Sequence, residues 1–251
     1  MFSRFVKPER IDAGEKNVYN NGSNREGSFM SRIKLIAFDL DGTLCNTLKD
    51  IAASLNYALA HFGFPTFSDS EVSQLVGKSV VYMCRNAVPK GHEDDWEKLV
   101  ERWHVEYAAH LCDTTVPYEG MPETLKALHA QGVRLACVTN KPHRHAVPML
   151  QKLFPPDGAI FSCIQGQSPE YPTKPDPFMM DMVREKLGFT REETLYVGDM
   201  DVDVQFAKNS GLKFAGCDWG FRGEAFLREA GAEIVLKEPK DLLGLLKNMD
   251  Q

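Results

Sequence analysis

The chain has 251 residues, of which 43% are hydrophobic and 25% charged, and its formal net charge is −6. This composition is typical of a globular protein whose core needs no disulfide or metal support. A negative charge without a run of lysines or arginines argues against binding to nucleic acid or to an anionic membrane. No apolar run approaches the roughly 18 residues that span a bilayer. The six cysteines form no Cys-x-x-Cys pair, so we expect reduced, buried thiols in a cytoplasmic protein.

Residues 1–30 are rich in Asn, Gly, Ser and charge, without a hydrophobic period, and we predict a disordered extension there. Beyond it, short apolar runs alternate with helical patterns. Near-continuous apolar strands separated by helices indicate an α/β fold with a parallel sheet covered on both faces. The predicted strands are residues 33–38, 133–138, 160–164, 194–197, 213–216 and 233–236.

One interval breaks this alternation, because no buried-strand run occurs between Leu48 and Val116. Apolar residues recur there at helical spacing, and they include Trp96 and Trp103. We therefore predict a helical insert between the first and second strands, with the tryptophans in its core. Residues 45–49 and 113–118 are its natural hinges.

Four groups of polar side chains lie at the carboxyl ends of predicted strands or can reach those ends through a short loop. In open α/β sheets, ligands bind at the carboxyl ends of the strands. Asp39 and Asp41 stand two residues apart at the end of the first strand, and such close carboxylates repel unless a cation or a phosphoryl group lies between them. The other groups are Thr139 and Asn140, then Lys174, then Asp199, Asp201 and Asp203.

These residue types suit phosphoryl transfer. Asp39 can attack phosphorus and form an aspartyl phosphate, while Asp41 can protonate the leaving oxygen and later activate water. Asp199 would hold Mg²⁺ together with Asp39, because Mg²⁺ binds one or two carboxylates plus water and substrate phosphate. The remaining polar groups, on Thr139, Asn140 and Lys174, can hold the phosphoryl oxygens as charge shifts.

In this order the four groups resemble the motifs of the haloacid dehalogenase superfamily: Asp39-x-Asp41-Gly-Thr, Thr139, Lys174 and Gly198-Asp199…Asp203. The resemblance implies a Rossmann-like core of residues 31–47 and 117–251, with an inserted helical cap domain of residues 48–116. The second aspartate marks the phosphate-transfer branches of that superfamily. The stretches "DGTLCNTLKDI", "VTNKP" and "KPDP" look like those of phosphoglycolate phosphatase-like proteins.

The candidate site is assigned on this basis. The expected catalytic residues are Asp39, Asp41, Thr139 and Lys174, and the expected metal ligands are Asp39, Asp41, Asp199 and Asp203. Asp203 has a second interpretation, in which it holds a metal-bound water or Lys174, while Asp201 is expected to face solvent. The expected substrate-binding residues are Gly42, Thr43, Asn140, Lys78 and Arg85. The two cap cations have a second interpretation as solvated charges, and His143 and His145 are expected to be exposed loop residues.

The predicted function is that of a cytoplasmic, Mg²⁺-dependent phosphatase of a small phosphorylated metabolite, with phosphoglycolate as the first candidate. A sugar phosphomutase, similar to β-phosphoglucomutase, or a pyrophosphatase or nucleotidase of the same superfamily would use the same catalytic residues. The cap loops that would choose among these substrates carry no readable code. The sequence also leaves open whether the protein is a monomer or a homodimer.

Overall fold

A computed structural model describes residues 33–154 and 160–249, so the predicted disorder of residues 1–30 lies outside the described residues. The strands are β1 (Leu35–Phe38), β2 (Cys45–Asn46), β3 (Val116–Pro117), β4 (Arg134–Pro142), β5 (Phe161–Gln167), β6 (Thr194–Gly198), β7 (Lys213–Cys217) and β8 (Val235–Leu236). The helices are α1 (Leu48–His61), α2 (Asp69–Ser73), α3 (Val80–Ala87), α4 (Trp96–Ala109), α5 (Met121–Ala130), α6 (His143–Leu153), α7 (Phe178–Leu187), α8 (Asp201–Ser210), α9 (Gly223–Glu229) and α10 (Asp241–Met249).

Six of the strands form one parallel sheet in the order β5-β4-β1-β6-β7-β8. When these six strands are numbered by their order along the chain, the sheet order is 3-2-1-4-5-6, as in a Rossmann-like fold. The direction in which the strand order progresses reverses at β1. The predicted α/β class is therefore confirmed. The carboxyl ends of β1 and β6 lie at the switch point of the sheet, since Phe38 pairs with Val197.

The sheet is covered on both faces, as its continuous apolar strands predict. Along β1, Ile36 and Phe38 pack into one buried apolar cluster, whereas Leu35 and Ala37 pack into another. Successive side chains of a strand point to opposite faces, so both faces of β1 are buried. The six cysteines are all buried and free, in agreement with the expectation of reduced thiols.

The segment between β2 and β3 is helical and contains α1 to α4, as predicted. In α4, Trp103 is buried and its ring stacks on that of Tyr107 at a centroid distance of 4.5 Å. By contacts, the described residues 33–154 and 160–249 belong to a single compact unit. The division into a core and a cap domain therefore stays a prediction.

The two predicted hinges contain a two-stranded sheet that the sequence did not indicate. β2 and β3 pair antiparallel, with Cys45 opposite Pro117. Beside them, the buried carboxylate of Asp50 accepts hydrogen bonds from the backbone N–H and the hydroxyl of both Thr114 and Thr115, at 2.6–3.1 Å. The two linkers are thus fastened to each other.

No helix in the described ranges is both long and apolar enough to cross a membrane.

Candidate active site

Three buried carboxylates meet at the switch point of the sheet. Asp39 follows β1, Asp199 follows β6, and Asp203 lies in the first turn of α8. One oxygen of each lies within 4.8 Å of the others. Burial, followed by the charges of Asp203 and Asp39, raises the pKa of Asp199 well above its usual value. Burial also raises the pKa of Asp39 to about 6, although the nearby Lys174 opposes this shift.

Lys174 supplies positive charge to this cluster. Its side chain is fully buried, and Nζ lies 2.9 Å from Asp39 Oδ1 and 2.7 Å from Asp203 Oδ1. Nζ also donates to the hydroxyl of Tyr196 at 3.0 Å. Burial disfavours the ammonium form, but the two carboxylates outweigh it and raise the pKa of Lys174. The lysine therefore stays charged beside the predicted nucleophile.

Asp199 is held in a narrow cradle. Its carboxylate accepts a hydrogen bond from Thr43 Oγ1 at 3.1 Å and another from the backbone N–H of Phe221 at 2.9 Å. Gly42 has φ = +83°, and a Cβ built on it would lie 2.2 Å from Asp199 Oδ2. Gly220 approaches Asp199 equally closely. Gly42 and Thr43 thus contact Asp199, and their predicted substrate binding stays a prediction.

Asp203 has both of its oxygens occupied by protein donors. Besides Lys174 at Oδ1, the backbone N–H groups of Asp199 and Met200 donate to Oδ2 at 3.2 and 3.1 Å. This geometry favours the interpretation in which Asp203 holds Lys174 and the loop before α8. Asp201 is exposed, as expected.

The donor set fits a hard divalent cation. Carboxylate oxygens are the ligands that such cations prefer. Asp39 is buried, and the close contact of its Oδ1 is the Lys174 ammonium at 2.9 Å. Three carboxylates with one neighbouring ammonium also leave uncompensated negative charge. Asp39 and Asp199 are therefore the residues that could hold the ion.

The Asp41 carboxylate, predicted as a metal ligand, does not belong to this cluster. It turns instead toward Lys141, whose Nζ lies 2.8 Å from Asp41 Oδ1. The same Nζ donates to the hydroxyl of Tyr107, on α4, at 2.6 Å. Burial opposes the charge on Lys141, but Asp41 and Tyr107 raise its pKa. The Asp41 carboxylate thus lies outside this cluster and is available for proton transfer, while a role of Asp41 as a metal ligand stays a prediction.

Lys141 was missed by the sequence analysis, although a signal for it exists. It stands two residues after Thr139 in β4, which runs to Pro142 and not to residue 138 as predicted. Residues two apart in a strand share a face, so Thr139 implies Lys141. The Thr139 hydroxyl accepts the backbone N–H of Lys141 at 3.2 Å, and its hydrogen bond to Asp39 lowers the pKa of that carboxyl.

Asn140 lines the cleft, and its side chain is held by backbone groups, so its predicted substrate binding stays a prediction. Its Oδ1 accepts the backbone N–H of Lys174 at 2.8 Å. Its Nδ2 donates to the backbone carbonyls of Lys174 and Gly77, each at 3.2 Å. Asn140 therefore joins the loop that carries Lys174 to the segment between α2 and α3.

A small cleft opens between these groups and the helical segment. Its polar wall includes Asp39, Asp41, Thr139 and Lys141. The facing wall is mostly apolar and is formed by Ile51, Leu75, Val76, Val80, Met83 and Trp103. The cleft is therefore suited to a small molecule with its anionic end at the sheet.

The two candidate cations of the helical segment are placed differently. Lys78 lines the cleft, but it is exposed and its Nζ lies 4.5 Å above the ring of Tyr82. Arg85 is exposed, does not line the cleft and stacks on the ring of Trp96 at 4.1 Å. The structure thus supports the solvated interpretation for Arg85 and leaves Lys78 near a substrate.

The expectation for the two histidines is right for one and wrong for the other. His143 is exposed, as predicted, although it opens α6. His145 is 4% exposed, and its Nε2 lies 3.1 Å from Nδ1 of His104 on α4. It is buried because it lies in the first turn of α6 and packs against His104 of α4.

Comparison with known proteins gives consistent matches. The model of the haloacid dehalogenase-like hydrolase family matches residues 36–217. Phosphoglycolate phosphatases of Mannheimia succiniciproducens and Haemophilus influenzae are 33% and 32% identical to the chain over 225 residues, which cover 86% of this chain and 99% of each relative. Among solved structures, a predicted phosphoglycolate phosphatase from Haemophilus somnus is similar with a TM-score of 0.79 and 30% identity, over 86% of this chain and 99% of that one.

Proposed function

The chain belongs to the haloacid dehalogenase-like hydrolases, and from this premise we propose that it is a Mg²⁺-dependent phosphatase that hydrolyses phosphoglycolate. The observation that carries the proposal is the buried carboxylate of Asp39. Its Oδ1 lies 2.9 Å from the Lys174 ammonium, and the carboxylate lines the cleft. The names of the relatives, at 32–33% identity over nearly their whole length, support the choice of substrate.

In the first step, Asp39 attacks phosphorus and the bond from phosphorus to the leaving oxygen breaks. The products of this step are an aspartyl phosphate and glycolate, whose oxygen takes a proton from Asp41. In the second step, Asp41 accepts a proton from water as that water attacks phosphorus, and the Asp39 carboxylate is restored. Asp41 lies on the wall of the cleft beside Asp39, which suits it to both proton transfers.

The surrounding groups stabilise the charge that develops on the phosphoryl oxygens. Lys174 and the Thr139 hydroxyl lie next to Asp39 and can donate to those oxygens. Asp203 and Tyr196 fix the Lys174 ammonium from behind. Mg²⁺ held by Asp39 and Asp199 would neutralise the charge between nucleophile and phosphate. The apolar wall of the cleft would exclude water around the ester bond.

The proposal is tested by phosphate release from a panel that contains phosphoglycolate, glucose 1-phosphate, a nucleoside monophosphate and pyrophosphate. Each is assayed with Mg²⁺ and with a chelator, for the wild type, Asp39→Asn and the matched control Asp201→Asn. We expect Mg²⁺-dependent release that is greatest for phosphoglycolate and lost in Asp39→Asn, with the exposed Asp201 dispensable. Release from phosphoglycolate that is unaffected by the chelator or by Asp39→Asn would contradict the proposal, as would transfer of phosphate to a sugar. Cytoplasmic location and the choice between monomer and homodimer stay predictions.

A further inference from the structure

A buried lysine that the proposed mechanism does not use stands in the wall of the cleft. The side chain of Lys141 is 2% exposed, against 12% for its partner Asp41. Its described contacts are Asp41 Oδ1 at 2.8 Å and the Tyr107 hydroxyl at 2.6 Å. An ammonium group has three donors, and two partners leave one donor for a ligand in the cleft.

The position of Lys141 is set from both sides of the cleft. Its backbone belongs to β4, whereas Tyr107 belongs to α4. Trp103 stacks on Tyr107, and the ring of His145 packs edge-on against it at 5.3 Å. The tyrosine that holds the ammonium is therefore itself fixed by aromatic packing. A lysine restrained in this way loses little conformational freedom when it binds a ligand.

Among the described residues that line the cleft, the cations are Lys78 and Lys141. Lys78 is exposed and lies over the ring of Tyr82. Lys141 is buried beside Asp41, the proposed donor of a proton to the leaving oxygen. Any further negative charge on the leaving group would therefore lie close to Lys141.

We propose that Lys141, held by Tyr107, binds the carboxylate of the leaving group and makes the enzyme selective for phosphate esters of 2-hydroxy acids. This inference rests on the proposed phosphatase function. When substrate binds, the third donor of Lys141 is directed at the carboxylate, while Asp41 faces the ester oxygen.

The spacing agrees with a short acid. With bonds of about 1.5 Å, a carboxylate oxygen of glycolate lies roughly 3 Å from the ester oxygen. The 2.8 Å between Lys141 Nζ and Asp41 Oδ1 is of the same size, so one group can face the ester oxygen while the other faces the carboxylate. A longer acid would carry its charge past Lys141 toward the apolar wall, where it would be desolvated without a partner.

The test compares two substrates of equal length: phosphoglycolate, whose leaving group carries a carboxylate, and 2-hydroxyethyl phosphate, whose leaving group is uncharged. The quantity measured is the ratio of their kcat/KM values for the wild type, Lys141→Met, Lys141→Arg and Lys78→Met. Lys78→Met is the matched comparison, because it removes the other cation of the cleft. We expect the wild type to prefer phosphoglycolate at least about tenfold, since 2-hydroxyethyl phosphate lacks the carboxylate that would form a charge-assisted hydrogen bond with Lys141.

Lys141→Met is expected to lower this ratio at least about tenfold, Lys141→Arg to keep most of it, and Lys78→Met to keep all of it. The inference is overturned if Lys141→Met keeps the wild-type ratio, or if Lys78→Met abolishes it. If Lys141→Met is inactive toward both substrates, the ratio is measured as binding affinities instead. Calorimetry then compares the two ligands on Asp39→Asn and on the double variant Asp39→Asn/Lys141→Met. A wild type that hydrolyses neither substrate refutes the proposed function, which is a different outcome from a retained ratio.

Discussion

Asn140 joins two segments that catalysis requires in fixed positions, so replacing it with alanine is informative. The substitution removes the acceptor of the Lys174 backbone N–H and both donated hydrogen bonds, to the carbonyls of Lys174 and Gly77. It leaves untouched the groups that hold the Lys174 ammonium. The variant therefore tests whether the backbone of Lys174 is placed by Asn140.

The expected magnitude follows from these contacts. A buried N–H left without a partner costs about 1–3 kcal/mol, and each ordinary hydrogen bond contributes about 0.5–1.5 kcal/mol. The sum, about 2–6 kcal/mol, is divided between stability and transition-state binding. We expect kcat to fall about 10- to 100-fold, because a small displacement of a catalytic group has effects of this size. We also expect KM to rise, since the contact with Gly77 is lost.

Asn56→Ala is the matched control. Asn56 makes the same two-way contact with a backbone, to the N–H and carbonyl of Phe67, but it lies away from the cleft. Both variants are compared by steady-state phosphate release and by urea unfolding. We expect both to lose stability and only Asn140→Ala to lose kcat. An Asn140→Ala enzyme with kcat within twofold of the wild type would refute the reasoning.

Three further predictions concern the linkers, a buried histidine and the Asp199 cradle. Asp50→Ala should lower the free energy of unfolding by about 2–4 kcal/mol in urea, because the hydrogen bonds that fasten the two linkers are lost; an unchanged midpoint would contradict this role. Burial lowers the pKa of His145 to about 3, so the unfolded chain binds its proton first and stability falls as pH drops below about 6.5. Unfolding at pH 7.5 and 5.0 should show that His145→Phe reduces this loss by about 2 kcal/mol, while the exposed His143→Phe leaves it unchanged. Gly42→Ala should lower kcat at least about 100-fold, since a Cβ would displace Asp199. The control is Gly63→Ala, which has φ = +71° and nothing within 4 Å, and it should cost only about 1–2 kcal/mol of stability. Equal kcat in the two variants would count against the cradle.

Much of the fold and part of the site could be predicted because they depend on local patterns. A parallel strand buried on both faces is a continuous apolar run, and a polar residue that ends it must lie at the carboxyl edge of the sheet. Asp39 and Asp199 were found in this way, and the order of strands brings them together. Lys174 lies in a loop without a period of its own, and it was singled out in company with the other three groups rather than from a local pattern.

The features that escaped prediction depend on contacts between distant parts of the chain. Lys141 gains its environment from Asp41 and from Tyr107, which lie 100 and 34 residues away. The Asp50 contacts cross 64 and 65 residues. His145 is buried against His104 of α4, 41 residues away. Neither hydrophobic period nor motif spacing reports which long-range partner a polar side chain will meet.

The central claim is that Asp39 becomes phosphorylated during turnover. We would mix the enzyme and Mg²⁺ with phosphoglycolate labelled in its phosphate, stop the reaction with acid within milliseconds, and locate the label by peptide mass spectrometry. The account predicts a phosphoryl group on Asp39, formed and lost at rates that match turnover and absent from Asp39→Asn. Label on another residue, or phosphate release in Asp39→Asn at the wild-type rate, would contradict the account.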